Sequence, residues 1–203
     1  METAMPYDPS MTLRAARDRY FEDNHFGADG GYGAAWVDFK LGPLPMPFPN
    51  TAARRRAVVY HDLHHIVTGY RTDFLGELEI GAWEIGAGCK GFVVPWQLNL
   101  AGLYTGAFLI PRRTFHAFVR GRRSASLYGR DVDALIDRTV GEVTGELLSN
   151  EPVTPRASDY ALFALAFAAG GLASLASLAL LLVGAPLFFL LGLLRPAPRP
   201  AVS

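Results

Sequence analysis

The sequence has a single cysteine, Cys89, in 203 residues. That excludes an internal disulfide and any zinc site built on several thiolates. It has no net charge: 19 basic residues balance 19 acidic ones, and the isoelectric point is near 7.0. No global basic surface therefore points to nucleic acid as a partner. It has no apolar run at its start, Met1 to Leu13 being polar and acidic, so it reads as lacking a signal peptide. It also has little strand-type alternation and no internal repeat, which leaves a mostly helical fold.

What it has in excess is hydrophobic residues, half of the total, concentrated late. From Tyr160 to Leu194 there is no charged residue at all. About 20 apolar residues suffice to cross a hydrocarbon core of roughly 30 Å, so this stretch reads as a membrane anchor. The Gly184-Ala185-Pro186 step predicts either one span from Tyr160 to Val183 or a helical hairpin. Arg195 and Arg199 are expected at the far interface. The chain thus divides into a helical domain, 1–155, and an anchor with a short tail, 156–203.

Within the domain, patterning predicts an amphipathic helix from Thr12 to Asn24 and a loop from Gly27 to Asn50 rich in Gly and Pro. Asn50 or Thr51 caps a helix that stops at Gly69, and Thr72 or Asp73 caps the next. Gly91 to Pro111, again uncharged, reads as a buried or membrane-lying helix. A basic helix to Arg123 follows, and Asp131 opens a last amphipathic helix through Leu147. The apolar side chains Trp96, Leu100, Leu103, Tyr104 and Phe108 are expected to bind lipid. The arginines from Arg112 to Arg123 are expected to meet anionic head groups.

The segment His61-Asp62-Leu63-His64-His65 carries three of the five histidines. Residues four apart share a helix face, so His61 and His65 can hold one ion together. Their midpoint lies roughly 9 Å along the axis before the turn at Gly69, and Glu77 lies roughly 8 Å after it. In an antiparallel hairpin the three are level. Asp62 is either a further ligand or an orienting partner; His64, on a different face, is expected behind the ligands, capping or exposed, and Glu84, a heptad after Glu77, is the reserve. Two imidazoles with one or two carboxylates favour zinc, then iron, over calcium or magnesium. Fatty-acyl desaturase-type boxes need about eight histidines and are excluded by counting.

The string His61-Asp62-x-x-His65, eleven residues and then Glu77 resembles the metal motif of the coenzyme Q biosynthesis protein four family. Gly69, Thr72 and Leu75-Gly76-Glu77 occupy matching places, with a weaker likeness through Gly121-Arg122-Arg123, Leu127-Tyr128, Tyr20 and Phe21. The resemblance implies a helical protein on the cytoplasmic face of the bacterial inner membrane, with His61, Asp62, His65 and Glu77 as metal ligands. It implies an isoprenoid lipid or prenylated quinone precursor as ligand and other quinone-biosynthesis enzymes as partners. The activity it implies is oxidative decarboxylation at C1 of a prenylated hydroxybenzoate. The chain departs from the family in lacking its longer N-terminal helical half and in adding the anchor. Two other readings follow from the residues: a non-catalytic lipid-binding scaffold with a structural metal, and a metal-dependent hydrolase.

Overall fold

The Thr51 hydroxyl accepts the Arg54 N–H, and the Asp73 carboxylate accepts the Gly76 N–H. These caps open the two helices on which the histidines and acids stand: α2 (Ala52–Thr68) and α3 (Phe74–Ala87). Gly69 ends α2 in the left-handed region at φ 76°, its N–H returning to the His65 carbonyl. The predicted hairpin is therefore present, with both caps and the stop where the sequence puts them.

The computed structural model describes residues 7–37, 40–41, 44–45, 47–149 and 153–193. Before the hairpin come α1 (Leu13–Asp23) and two short antiparallel strand pairs. β1 (Trp36–Val37) pairs with β4 (Phe48–Pro49), and β2 (Lys40–Leu41) with β3 (Leu44–Pro45). The punctuated Gly/Pro segment thus forms nested two-residue ladders where a loop was expected. After the hairpin come α4 (Val93–Leu109), α5 (Pro111–Arg122), α6 (Val132–Leu135), α7 (Val140–Leu147) and α8 (Ala157–Leu193). The predicted helix from Asp131 to Leu147 is interrupted. Thr139 and Glu142 form a reciprocal capping box that starts α7 afresh, leaving α6 a single turn.

Two cores share α2. On one side Leu63, Ile66 and Val67 pack against Leu13, Ala16 and Phe21 of α1 and Val140, Val143 and Leu147 of α7. The other core holds Ile80, Trp83 and Ile85 of α3, Leu103 of α4 and Phe118 of α5. Each buried Leu, Ile or Phe contributes about 1.5–3 kcal/mol. The crossing of α3 and α5 is close because each helix presents a glycine to the other's backbone: a Cβ at Gly121 would strike the Trp83 carbonyl, and one at Gly86 the Phe118 carbonyl. That closeness fixes α3, and with it the acids on α3, against the second core.

Ala157–Gly184 of α8 is long and apolar enough to cross a membrane by length and composition, with 11% of its most apolar window buried. α8 continues as one helix through Pro186. Arg195 and Arg199 lie outside the described residues, as does the start of the chain up to residue 6. The first half of α8 is seated on the domain. Tyr104 and Phe108 stack on Phe167, Phe115 and Phe118 meet Phe163, and the Gln97 amide donates to the Ala173 carbonyl at 2.7 Å.

Candidate metal centre

Three donor groups converge between α2 and α3. His61 Nε2 lies 3.2 Å from His65 Nε2 and 3.1 Å from Glu77 Oε2, and His65 Nε2 lies 3.2 Å from Glu77 Oε1. One ligand atom from each of the three lies within 4.8 Å of the others.

The tautomers follow from what the other ring nitrogens face. His65 Nδ1–H donates to the Tyr70 carbonyl at 2.9 Å, and a carbonyl can only accept. His61 Nδ1–H donates to Glu84 Oε1 at 3.0 Å. Each histidine is therefore pinned from behind and turns its Nε2 toward the centre. Two ring nitrogens and a carboxylate aimed at one point have more lone pairs than protons between them, an arrangement a cation satisfies. His61 faces one Glu77 oxygen and His65 the other, so the carboxylate bridges the two imidazoles, and one donor atom from each of the three residues can meet an ion.

Glu84 is the hub behind the centre. It is fully buried and accepts from His61 and from His64 Nδ1–H at 2.7 Å, from the Tyr128 hydroxyl at 2.8 Å and from the Asn99 amide. The Leu127 N–H donates to His64 Nε2 at 2.9 Å, so both nitrogens of His64 are taken. His64 and Glu84 thus hold His61 in place. Asp62 lies outside the three-residue group: its carboxylate accepts the Tyr32 hydroxyl at 2.6 Å and faces the Tyr20 hydroxyl at 3.5 Å. Tyr20 in turn stacks on the His65 ring. Asn99, Tyr128 and Tyr32 were not singled out by the sequence as parts of the site. A faint signal existed in Asn99, one of two amides, with Gln97, in a mostly apolar helix.

The centre opens on one side. The Glu77 and His61 side chains are 42% and 23% exposed, whereas His65 is buried. They face a cavity of about 280 Å³ walled by α2, α3 and α4, with Phe74, Leu78, Val94, Leu98 and Gly102 among its lining. The five α4 residues expected to bind lipid point elsewhere. Leu103 is in the core, Leu100, Tyr104 and Phe108 lie against α8 or each other, and Trp96 is 39% exposed. Most of the basic run is engaged within the protein. Arg113 pairs with Glu79, Arg122 and Arg123 pair with Asp159, and Arg120 donates to the Thr68 carbonyl over the Tyr70 ring.

Titration follows from this geometry. Burial opposes ionisation of Glu77, but hydrogen bonds and charge from His61 and His65 hold its pKa down at about 2. Burial also opposes the charge on Glu84, and His61 and His64 hold it lower still. Burial would depress His61, yet the Glu84 charge and the hydrogen bonds to Glu77 and Glu84 raise it well above 6.5. The acids' stabilisation is complete above their ordinary 4.5 and is lost as pH falls toward about 2. The His61 contribution is complete below 6.5 and is lost as pH rises through its raised value. The metal-free cluster is thus strongest between 4.5 and 6.5. A metal requires His61 Nε2 without its proton, so affinity is expected to climb with pH, by up to about tenfold per unit, with a proton released on binding. Zinc titrations against a chelator at several pH values, in buffers of different ionisation heat, check this; a flat profile would contradict it.

Comparison with known proteins adds no family to this picture: no family model, curated protein or solved structure matches the chain.

Proposed function

We propose that this is a metal-dependent, membrane-bound protein of prenylated quinone biosynthesis that acts on a ring-and-tail amphiphile. The observation that carries the reading is the convergence of His61, His65 and Glu77 on one point, with His61 and Glu77 lining an apolar cavity. A divalent ion held there, zinc first and iron second, supplies a Lewis acid for a carboxylate or phenolate oxygen. His61 and His65 are held in the ligating tautomer by Glu84 and the Tyr70 carbonyl, while Val94, Leu98 and Phe74 offer an apolar wall to the ligand. Asp62, next to His61, is the fourth ligand that the motif suggests, or the acceptor that keeps Tyr32 and Tyr20 beside the centre.

The cavity supports the amphiphile part of the reading. Its size is that of a ring with a few carbons of tail, and exposed Phe74, Val93, Val94 and Leu98 lie along or near its wall. A longer prenyl tail would leave the protein over these side chains into the bilayer that α8 enters. The substrate class and the oxidative decarboxylation rest on the motif resemblance; the inner membrane and its cytoplasmic face are the matching location.

Elemental analysis of purified protein is expected to give about one zinc or iron per chain, lost in Glu77→Ala. Retention by that variant removes Glu77 from the ligand set. Complementation of a quinone-deficient strain is expected with the wild type and not with His65→Ala. Rescue by both favours the scaffold reading, in which the ion only pins the α2–α3 hairpin. Failure of both removes the quinone assignment.

A further inference from the structure

Arg54 is the one arginine or lysine among the described residues that line the apolar cavity. Arg54, Val58 and His61 share a face of α2 at spacings of four and three, and all three line the cavity. The base of Arg54 is about 10 Å along the helix axis from that of His61. Glu77 and Glu84, which also reach the cavity, are committed to histidines, Tyr128 and Asn99. Among the described residues Arg54 forms no ion pair. Its Nη1–H donates to Asn50 Oδ1, a neutral group, at 3.0 Å, and its guanidinium lies 5.8 Å from the centre of the Phe48 ring. Asp62 attracts it through space, but that carboxylate already accepts from Tyr32.

Two further features leave this charge poorly compensated. Burial pushes the Arg54 pKa down, the mark of a guanidinium that water solvates incompletely. Arg54 also sits in the first turn of α2, which has no acidic residue, so the helix dipole adds to its positive field. An anion in the cavity would satisfy it with charge-assisted hydrogen bonds.

We propose that Arg54 receives an anionic head group, a carboxylate, of the amphiphile held in the cavity, and so selects acids over neutral molecules of the same shape. The inference rests on the proposed function, since it takes the cavity to be the amphiphile site. It assigns the reading of charge to Arg54 and leaves His61, His65 and Glu77 to the ion.

The test uses the full-length, zinc-loaded protein and two probes with one ring and tail, para-hexylbenzoate and para-hexylbenzyl alcohol, measured by calorimetry. The wild type is expected to prefer the acid by at least about tenfold. Arg54→Met is expected to lose that preference while binding the alcohol as before and keeping its metal; Arg54→Lys is expected to keep part of it. A preference undiminished in Arg54→Met overturns the assignment, because the ion would then be reading the carboxylate. Equal loss of both probes in Arg54→Met also overturns it, since Arg54 would merely shape the wall. If the wild type binds neither probe, the amphiphile reading fails and this inference with it; if only the Arg54 dependence is absent, the amphiphile reading stands alone.

Discussion

Glu84→Leu is expected to lower unfolding free energy by about 3–5 kcal/mol, the cost of breaking a buried charged network from one side. The side chain it removes accepts from His61, His64, Tyr128 and Asn99 in a place no water reaches. Leucine fills the volume, but it leaves the His64 Nδ1–H and the Tyr128 hydroxyl without an acceptor and the Asn99 amide with only the Cys89 sulfur, at 3.7 Å. Each stranded buried donor costs about 1–3 kcal/mol before relaxation. His64 cannot escape by flipping, because its Nε2 already accepts the Leu127 N–H. Glu84→Gln should cost less, since its amide oxygen still accepts, though its NH2 faces donors. Metal binding should weaken by roughly 10–100-fold in both variants, because His61 loses the carboxylate that orients it. Urea unfolding of metal-free protein and chelator competition separate the two effects. An unchanged urea midpoint in Glu84→Leu would mean that the network contributes nothing to folding.

This expectation rests on a part of the site that the sequence shows only dimly. The hairpin itself was legible because its signals are local: a threonine cap, a glycine stop, an aspartate cap, and two histidines four apart. Glu77 could be placed by counting from the turn. The hub could not, because its partners come from α4 and from the segment after α5, at 15 and 44 residues from Glu84. No periodicity carries that information.

The α4 faces show a second limit. Its 17 residues are apolar almost all round. Amphipathicity orients a helix only when one side is polar, and here the sequence gives no reason to prefer either face. Tyr104 and Phe108, expected to bind lipid, meet Phe167 of α8, with Phe108 still 64% exposed, while Val94, Leu98 and Gly102 wall the cavity. The basic run from Arg112 to Arg123 looked like a head-group surface. Its partners Glu79 and Asp159 are 34 and 36–37 residues away, so the pairing emerges only on folding.

Two truncations of α8 are expected to behave in opposite ways. Ending the chain at Ser177 keeps these contacts between α8 and the domain: Asp159 with Arg122 and Arg123, Phe163 with Phe115 and Phe118, Phe167 with Tyr104, and Gln97 with Ala173 and Ser177. Among the described residues it removes, Leu180, Leu182 and Val183 are 70%, 67% and 80% exposed. Each such side chain gains about 1.5–3 kcal/mol on leaving water, so losing the run should release much of the protein from membranes while its melting temperature holds. Ending at Pro155 removes the seat as well. It strips the cover from α4, leaves Arg122 and Arg123 without their shared carboxylate, and exposes Phe115, Phe118 and Tyr104. That form is expected to aggregate on expression, as exposed contiguous apolar surface dictates. The free part of α8, residues 178–193, is only about 24 Å long, short of a hydrocarbon core of roughly 30 Å. A span, if α8 forms one, must therefore include residues that also pack on α4, since α8 is also a wall of the domain. Carbonate extraction and thermal melts of the two forms check this. A soluble, monomeric protein ending at Pro155 that melts like the full chain would reduce α8 to a detachable anchor.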